Sequence, residues 1–355
     1  MREMLGDHKG RLIALALVAV LLPIGGALAV ATEVNSGVPS ASSAPPSAPG
    51  APSHPSVFYA TPIHHVVLVL LENTEASTVL SGSPFEIGLA NTYAYLNQSY
   101  GVCHPSEPNY LALITGLQTQ CETDNYAILG QYNLADALDY NGLTWREYAE
   151  SMPTPCSTTD TGLYAVRHNP FVFMQDIVQN TSRCNSHVVD FNAWASDVKS
   201  GNIPNFAFIT PNLNDDGHNT QSSYADAWLQ GWLTPLLSTP WAASTAFIIT
   251  YDEGLTGAGY SQDGISLWGG HVYTVIVSPF SKGIGLINTP FSHFNTLTTI
   301  EWLFGLGSFS SYDDFIGFPP AYAAFHFPDP TAPVGSPGAL SGAVTGNGAR
   351  SLRVA

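Results

Sequence analysis

The chain is short of positive charge. Its 355 residues hold ten Lys and Arg against 27 Asp and Glu, a formal net charge of −17 at pH 7 with histidine neutral. Arg2, Lys9 and Arg11 lie at the N-terminus and Arg350 and Arg353 near the C-terminus, so the stretch between keeps five cations: Arg146, Arg167, Arg183, Lys199 and Lys282. Five scattered charges make no groove for nucleic acid. An anionic substrate therefore needs a metal ion or histidines to enter so acidic a field. Cysteine is scarce too: Cys103, Cys121, Cys156 and Cys184 include no C-x₂-C pair, which argues against a structural zinc site. An even count in an exported chain predicts two disulfides. Three pairings are open, and partners close in sequence, Cys103 with Cys121 and Cys156 with Cys184, are the expectation. No internal repeat is visible.

What is present begins with an export pattern. A basic start leads into an apolar run, residues 12–31, broken by Pro23, Gly25 and Gly26 and holding Ala27-Leu28-Ala29 as a cleavage site. Residues 1–31 read as a secretory signal peptide, or, because the run approaches bilayer length, as an uncleaved N-terminal membrane anchor. The protein is expected outside the cell, tethered to the outer face of the membrane if the anchor stays. Residues 32–59 form a Pro/Ser/Ala-rich linker and 327–355 a low-complexity tail. That leaves 60–326 as a single folded domain, about 45% of the whole chain being hydrophobic.

Within that domain, Ile63–Leu71, IHHVVLVLL, is a near-continuous apolar, β-branched run of the kind buried on both faces of a sheet. Further strands are predicted at 143–146, a short one, and at 205–210, 246–251 and 272–277. Helices are predicted at 87–96, after Ser106, and at 133–140, 171–179, 191–199, 223–237 and 292–306. Strands alternating with helices predict an α/β fold, a mostly parallel central sheet with helices on both faces. In such sheets the ligand site lies beyond the carboxyl ends of the strands. The residues there are Glu72-Asn73, Asn212 onward and Asp252-Glu253, more oxygen donors than turn chemistry requires.

The stretch Gly101–Gly116, GVCHPSEPNYLALITG, raises the central question. A serine ahead of a proline-started helix is ordinarily an N-cap. The same geometry presents the Ser106 hydroxyl, at the positive end of a helix, to an incoming anion. Clustered carboxylates repel one another unless a cation sits between them. Glu72, Asn73, Asp252 and Glu253, with the Ser106 oxygen, make a hard donor set that suits one divalent metal ion, Ca²⁺, Mg²⁺ or Mn²⁺ ahead of Zn²⁺. His104, His168, His218, His271 and His293 all border elements, where imidazoles neutralise phosphate oxygens, protonate a leaving group or complete a second metal site with Asp215 or Asp216.

The set LLEN, HPSEPNYLALITG, RHNPF, ITPNLNDDGH, TYDEG, GGH and SHFNTLTTIEWLFGL, running from about His64 to Gly305, resembles the phosphoesterase family of bacterial phospholipases C and secreted acid phosphatases, within the alkaline phosphatase superfamily. RHNPF and PNLNDDGH resemble the short acid-phosphatase-like branch. The resemblance implies an alkaline-phosphatase-like three-layer sandwich and a secreted, metal-dependent acid phosphatase. It implies Ser106 as nucleophile and metal contact, a phosphoserine intermediate, and Glu72, Asn73, Asp252 and Glu253 as metal ligands. His218 is expected as the second catalytic residue, with His104, Asn109, His168, Asp216 and His271 around a small phosphorylated substrate and no obligate protein partner. Tyr110 departs from the pattern: the phospholipase branch carries Arg after the Pro-Asn pair, and sulfatases need it there. A phosphodiesterase or phospholipase C acting on larger head groups is the rival enzyme reading, and a non-catalytic cell-surface binding protein the rival from another class.

Overall fold

In the computed structural model, residues 61–262, 264–310 and 317–328 are described. The expected signal or anchor, the linker and all but the first two residues of the tail lie outside them. Beginning with the apolar run, the elements in chain order are β1 (His65–Leu71), α1 (Ala76–Gly82), α2 (Pro84–Thr92), β2 (Ala94–Tyr100), α3 (Ser106–Thr115), α4 (Leu134–Tyr140), β3 (Trp145–Ala149), α5 (Gln175–Val178), α6 (Thr181–His187), β4 (Val188–Asp190) and α7 (Asn192–Ser200). There follow β5 (Phe206–Thr210), α8 (Ser222–Leu236), β6 (Thr245–Tyr251), β7 (Ser261–Gln262), β8 (Ile265–Ser266), β9 (His271–Val272), β10 (Thr274–Val277), β11 (Gly285–Ser292) and α9 (His293–Phe304).

The main sheet runs β11-β2-β10-β6-β1-β5-β3-β4, with β9 paired to β2. It is mostly parallel; β10 is antiparallel to β2 and β6, and β9 to β2. Period-two alternation sends the residues of each strand to opposite faces. Val66, Leu68, Leu70, Phe208 and Ile248 pack with Leu111, Ile114, Leu297 and Ile300 of α3 and α9. Val67, Val69, Ile209 and Ile249 pack with Val79, Leu89, Leu229 and Leu233 of α1, α2 and α8. Two helical layers thus enclose the sheet, the three-layer α/β arrangement expected.

Local departures have local causes. The helix expected at 87–96 starts three residues early, at Pro84, whose fixed φ suits the first helical position. It also stops early, at Thr92, and Leu96 belongs to β2. Tyr93 is extended and Tyr95 packs against the Tyr273 ring at 5.3 Å, so the aromatic run continues as strand. The strand expected at 143–146 lies at 145–149, and the helix at 171–179 is a 3₁₀ turn over 170–173 followed by the single turn of α5. β11 carries no clear apolar alternation because it is an edge strand, half in solvent and holding Pro290. Both disulfides join the expected partners, with Cα separations of 5.8 Å for Cys103–Cys121 and 5.5 Å for Cys156–Cys184.

Candidate active site

Parallel register puts the ends of β1 and β6 side by side. Leu71 pairs with Tyr251, and the Asp252 N–H donates to the Leu71 carbonyl at 2.9 Å. Glu72 and Asp252 therefore leave the sheet as neighbours, both fully buried. Asn73 takes a left-handed φ of 51°, which asparagine tolerates better than most residues. Its N–H donates to Asp252 Oδ1 at 3.0 Å and its side-chain amide to Glu72 Oε2 at 2.9 Å. The loop after β5 folds back until the Glu72 N–H donates to the Asp216 carbonyl at 2.9 Å, which brings a third buried carboxylate in.

Ser106 is not the helix cap. Pro105 holds that position without a side-chain bond, Ser106 is the first residue of α3, and its Oγ donates to Glu72 Oε2 at 3.2 Å. One turn on, the Tyr110 hydroxyl donates to Glu72 Oε1 at 2.6 Å. The His168 ring, carried by a 3₁₀ turn over Val166–His168, lies parallel to the Tyr110 ring with centroids 5.1 Å apart. Its Nε2 is 3.3 Å from Glu72 Oε1 and its Nδ1 3.5 Å from Asp216 Oδ2.

The electrostatics of this cluster call for a cation. Burial, with the charges of Asp252 and Asp216, pushes the Glu72 carboxyl well above the usual carboxylate range. Burial likewise raises Asp216 strongly, and burial and Glu253 push Asp252 up to about 8. Burial drives His168 well below its ordinary value, so its imidazole is neutral and has a lone pair to give. Among the described residues, Asp252 Oδ2, Asp216 Oδ2 and His168 Nε2 have no hydrogen-bond partner. Donor atoms of Glu72, His168 and Asp216 all lie within 4.8 Å of one another. Orphaned acceptors facing one another in a buried site are costly as they stand, and a divalent cation relieves them. The donor set fits such an ion.

Of the expected metal ligands, Glu72, Asn73, Ser106 and Asp252 come together, and His168 and Asp216, expected on the substrate side, join them. Glu253 turns to His104, whose Nδ1 is 2.7 Å from Glu253 Oε2 while Nε2 is 3.0 Å from the Thr256 carbonyl. The Thr256 carbonyl only accepts, so Nε2 of His104 carries a proton. The bond to Glu253 raises its pKa accordingly. His218 is exposed; its N–H donates to Asp216 Oδ1 at 2.7 Å. Its ring Nε2 faces Arg167 Nη2 at 3.2 Å and its Nδ1 faces Asn219 Oδ1 at 3.1 Å. A guanidinium only donates, so Nε2 is the acceptor and Nδ1 holds the proton.

Two expected substrate contacts are used otherwise. Asn109 is fully buried; its Oδ1 accepts from the Val102 N–H at 2.7 Å and its Nδ2 donates to the Cys103 carbonyl at 2.7 Å, bracing the turn ahead of Ser106. His271 lies on β9, its Nε2 2.6 Å from the Asn97 carbonyl and its ring against Tyr100, apart from the cluster. His293 Nε2 donates to the Asp252 carbonyl at 2.5 Å, and burial pushes that imidazole down to about 4.

Sequence reasoning passed over Arg167, Asp124, Glu75 and the hydroxyl of Tyr110. Glu75 Oε1 accepts from the Leu255 and Thr256 N–H groups at 3.1 and 3.0 Å and from Thr256 Oγ1 at 2.7 Å, fixing the loop that holds His104. Arg167 had one signal, its place beside His168 in RHNPF. The loop also needs glycine at Gly101, where a Cβ would come within 2.6 Å of the Gly269 carbonyl oxygen.

Residues 80–307 match the family model described as the Phosphoesterase family. An acid phosphatase of Aspergillus fumigatus is 29% identical over 236 residues, covering 63% of this chain and 51% of that one. A phosphatidylinositol-3-phosphatase of Mycobacterium tuberculosis is 30% identical over 250 residues, covering 68% and 77%. The chain spans about half the length of the first fungal relatives it matches. The crystal structure of a Vibrio parahaemolyticus protein of the alkaline phosphatase superfamily superposes with a TM-score of 0.52 at 14% identity, over 72% of this chain and 69% of that one, a likeness of fold.

Proposed function

The chain belongs to the Phosphoesterase family, and from that premise we propose that it is a metal-dependent phosphoric ester hydrolase acting on phosphomonoesters through Ser106. The observation that carries this reading is the Ser106 hydroxyl, first in a wholly buried helix and hydrogen-bonded to Glu72 inside the cluster that fits a cation. Glu72, Asp216, His168 and Asp252 would hold the ion, with Asn73 and Ser106 beside them. A divalent cation there offsets the carboxylates and the charge of a phosphate oxygen. The imidazole of His168 adds nitrogen to an otherwise oxygen set, so Mn²⁺ and Zn²⁺ belong in any trial beside Ca²⁺ and Mg²⁺.

Glu72 Oε2 holds the Ser106 hydroxyl, which leaves an oxygen lone pair for in-line attack on phosphorus. The Ser106 hydroxyl proton passes to Glu72 Oε2 as the serine O–P bond forms and the ester P–O bond breaks, and the alcohol leaves with a proton from a separate donor. The exposed His218 is the proposed donor. Water then cleaves the phosphoserine, returning Ser106 and phosphate. The N-terminal end of α3 supplies positive potential without reorganisation, beside His104, whose pKa the bond to Glu253 raises.

Tyr110 in the place of Arg, and relatives named as phosphatases, support monoesters over diesters. The assembled cluster argues against a non-catalytic binding protein. Two disulfides fit an oxidising compartment, in keeping with export directed by residues 1–31. Among the described residues no helix is long and apolar enough to cross a membrane. The test is phosphate release from an aryl phosphate between about pH 4 and 8, the carboxylate-to-imidazole range, with each of the four cations. Release that stops on chelation and returns with metal is expected; no release with any of them overturns the reading.

A further inference from the structure

Two loops are fastened to the turn that carries Ser106. In the first, Cys121 is bonded to Cys103, the Glu122 N–H donates to the His104 carbonyl at 2.7 Å, and Asp124 Oδ1 accepts from the Glu107 N–H at 3.0 Å. That loop is tied down again further on, where the Tyr126 hydroxyl donates to the Val172 carbonyl at 3.0 Å and the Leu129 N–H to the Phe173 carbonyl at 2.7 Å. The second loop follows Asp252-Glu253. Its Thr256 carbonyl accepts from His104 Nε2 at 3.0 Å, and the Glu75 carboxylate holds the Leu255 and Thr256 N–H groups. His104 thus joins both loops, one through its carbonyl and the other through its ring.

Each loop holds an aliphatic side chain in water. Leu255 is 74% exposed and Ile128 48%. Among the described residues the other exposed large aliphatic side chain is Leu286, on edge strand β11. A single exposed leucine calls for no explanation. Two such side chains on backbones pinned to the turn before α3 differ, because a fixed apolar surface meets a ligand with little further loss of entropy. Polar recognition is poorly served there. The N–H groups of Gly254, Leu255, Thr256 and Ala258 all donate within the protein, and residues 117–131 and 254–268 include no Lys or Arg. Sugar hydroxyls and anionic surfaces find few partners on such a rim, whereas an alkyl or aryl group leaves water by lying on it.

We propose that Leu255 and Ile128 are specificity-determining residues, an apolar rim that selects phosphomonoesters of alkyl or aryl alcohols over those of sugars and other polyols. The proposal rests on the hydrolase reading above and names the class of alcohol which that site prefers. The phosphate goes to the buried cluster, and the alcohol is left at the mouth between the two loops.

The test is kcat/KM on n-alkyl phosphates from methyl to hexyl, and on glycerol phosphate, for wild type, Leu255→Ser, the double variant Leu255→Ser with Ile128→Ser, and Leu286→Ser as a surface control away from the rim. Wild type should gain about twofold per methylene, below the roughly fourfold of full burial, and should take hexyl phosphate well ahead of glycerol phosphate. The loss in the double variant should grow with chain length until the series is nearly flat, with Leu255→Ser between and Leu286→Ser keeping the wild-type slope. A flat series in wild type overturns the proposal, and so does a slope that the double variant leaves unchanged, whether or not its activity drops. Calorimetric binding of methylphosphonate and hexylphosphonate to the metal-loaded protein separates this from the hydrolase reading. If wild type hydrolyses none of the esters, that reading fails, and the phosphonates still decide on the rim: tighter binding of hexylphosphonate that the double variant loses supports it, and equal affinities in wild type sink it.

Discussion

Glu72 serves four neighbours with one carboxylate. Oε2 accepts from Ser106 and Asn73, while Oε1 accepts from Tyr110 and lies 3.3 Å from His168 Nε2. Tyr110 meets the sequence reader only as a residue that is not arginine. In the folded chain its hydroxyl orients the carboxylate and its ring orients His168 by stacking. Partners of this kind set metal affinity about 10- to 100-fold. Tyr110→Phe should therefore raise the metal dissociation constant by that factor while the protein stays folded, measured by titration with Mn²⁺ after chelation. Unchanged affinity would remove Tyr110 from the metal site. The carboxylates were legible in the sequence because they follow buried strands. The histidines were harder: a boundary position is shared by His168, which enters the cluster, and His271, which does not.

At the scale of elements, strand ends and the turn before α3 were readable, the former because β1, β5 and β6 are continuous apolar runs with polar residues immediately after them. Edge strand β11 and short elements such as α6 and β4 were not, because half-exposed or single-turn segments carry too little apolar period to register. Cys103–Cys121 ties the turn before α3 to the loop that carries Asp124. Replacing both cysteines with serine should lower stability by about 2–4 kcal/mol, the usual worth of such a bridge, as read in urea unfolding. Activity below the unfolding midpoint should fall as well, because Ser106 and Asp124 lose a common tether. Full activity in a destabilised double variant would show that the bridge steadies the domain without positioning the turn.

Over the whole molecule, acidity is buried as well as displayed. Glu86 and Glu147 are buried away from the cation cluster, and burial raises both well above the usual 4.5. Carboxyls with raised folded-state values stabilise the protein below about pH 4.5 and lose that contribution as pH rises through their folded values. In the presence of a chelator, the melting temperature should therefore be highest in mild acid and decline toward pH 8. Glu147→Gln keeps an acceptor for the Thr210 hydroxyl, cannot ionise, and should flatten the decline. A melting temperature that climbs with pH in the chelated protein would contradict this. The same burial of carboxylates defines the site, where the proposed cation would take the place of protons and Ser106 stands at the first turn of α3. The most direct measurement is acid quenching of the metal-loaded enzyme during turnover of an aryl phosphate, followed by mass spectrometry of the peptide bearing Ser106. A phosphate adduct on Ser106, absent in Ser106→Ala together with activity, is the predicted result; full activity in Ser106→Ala with no adduct would contradict the account.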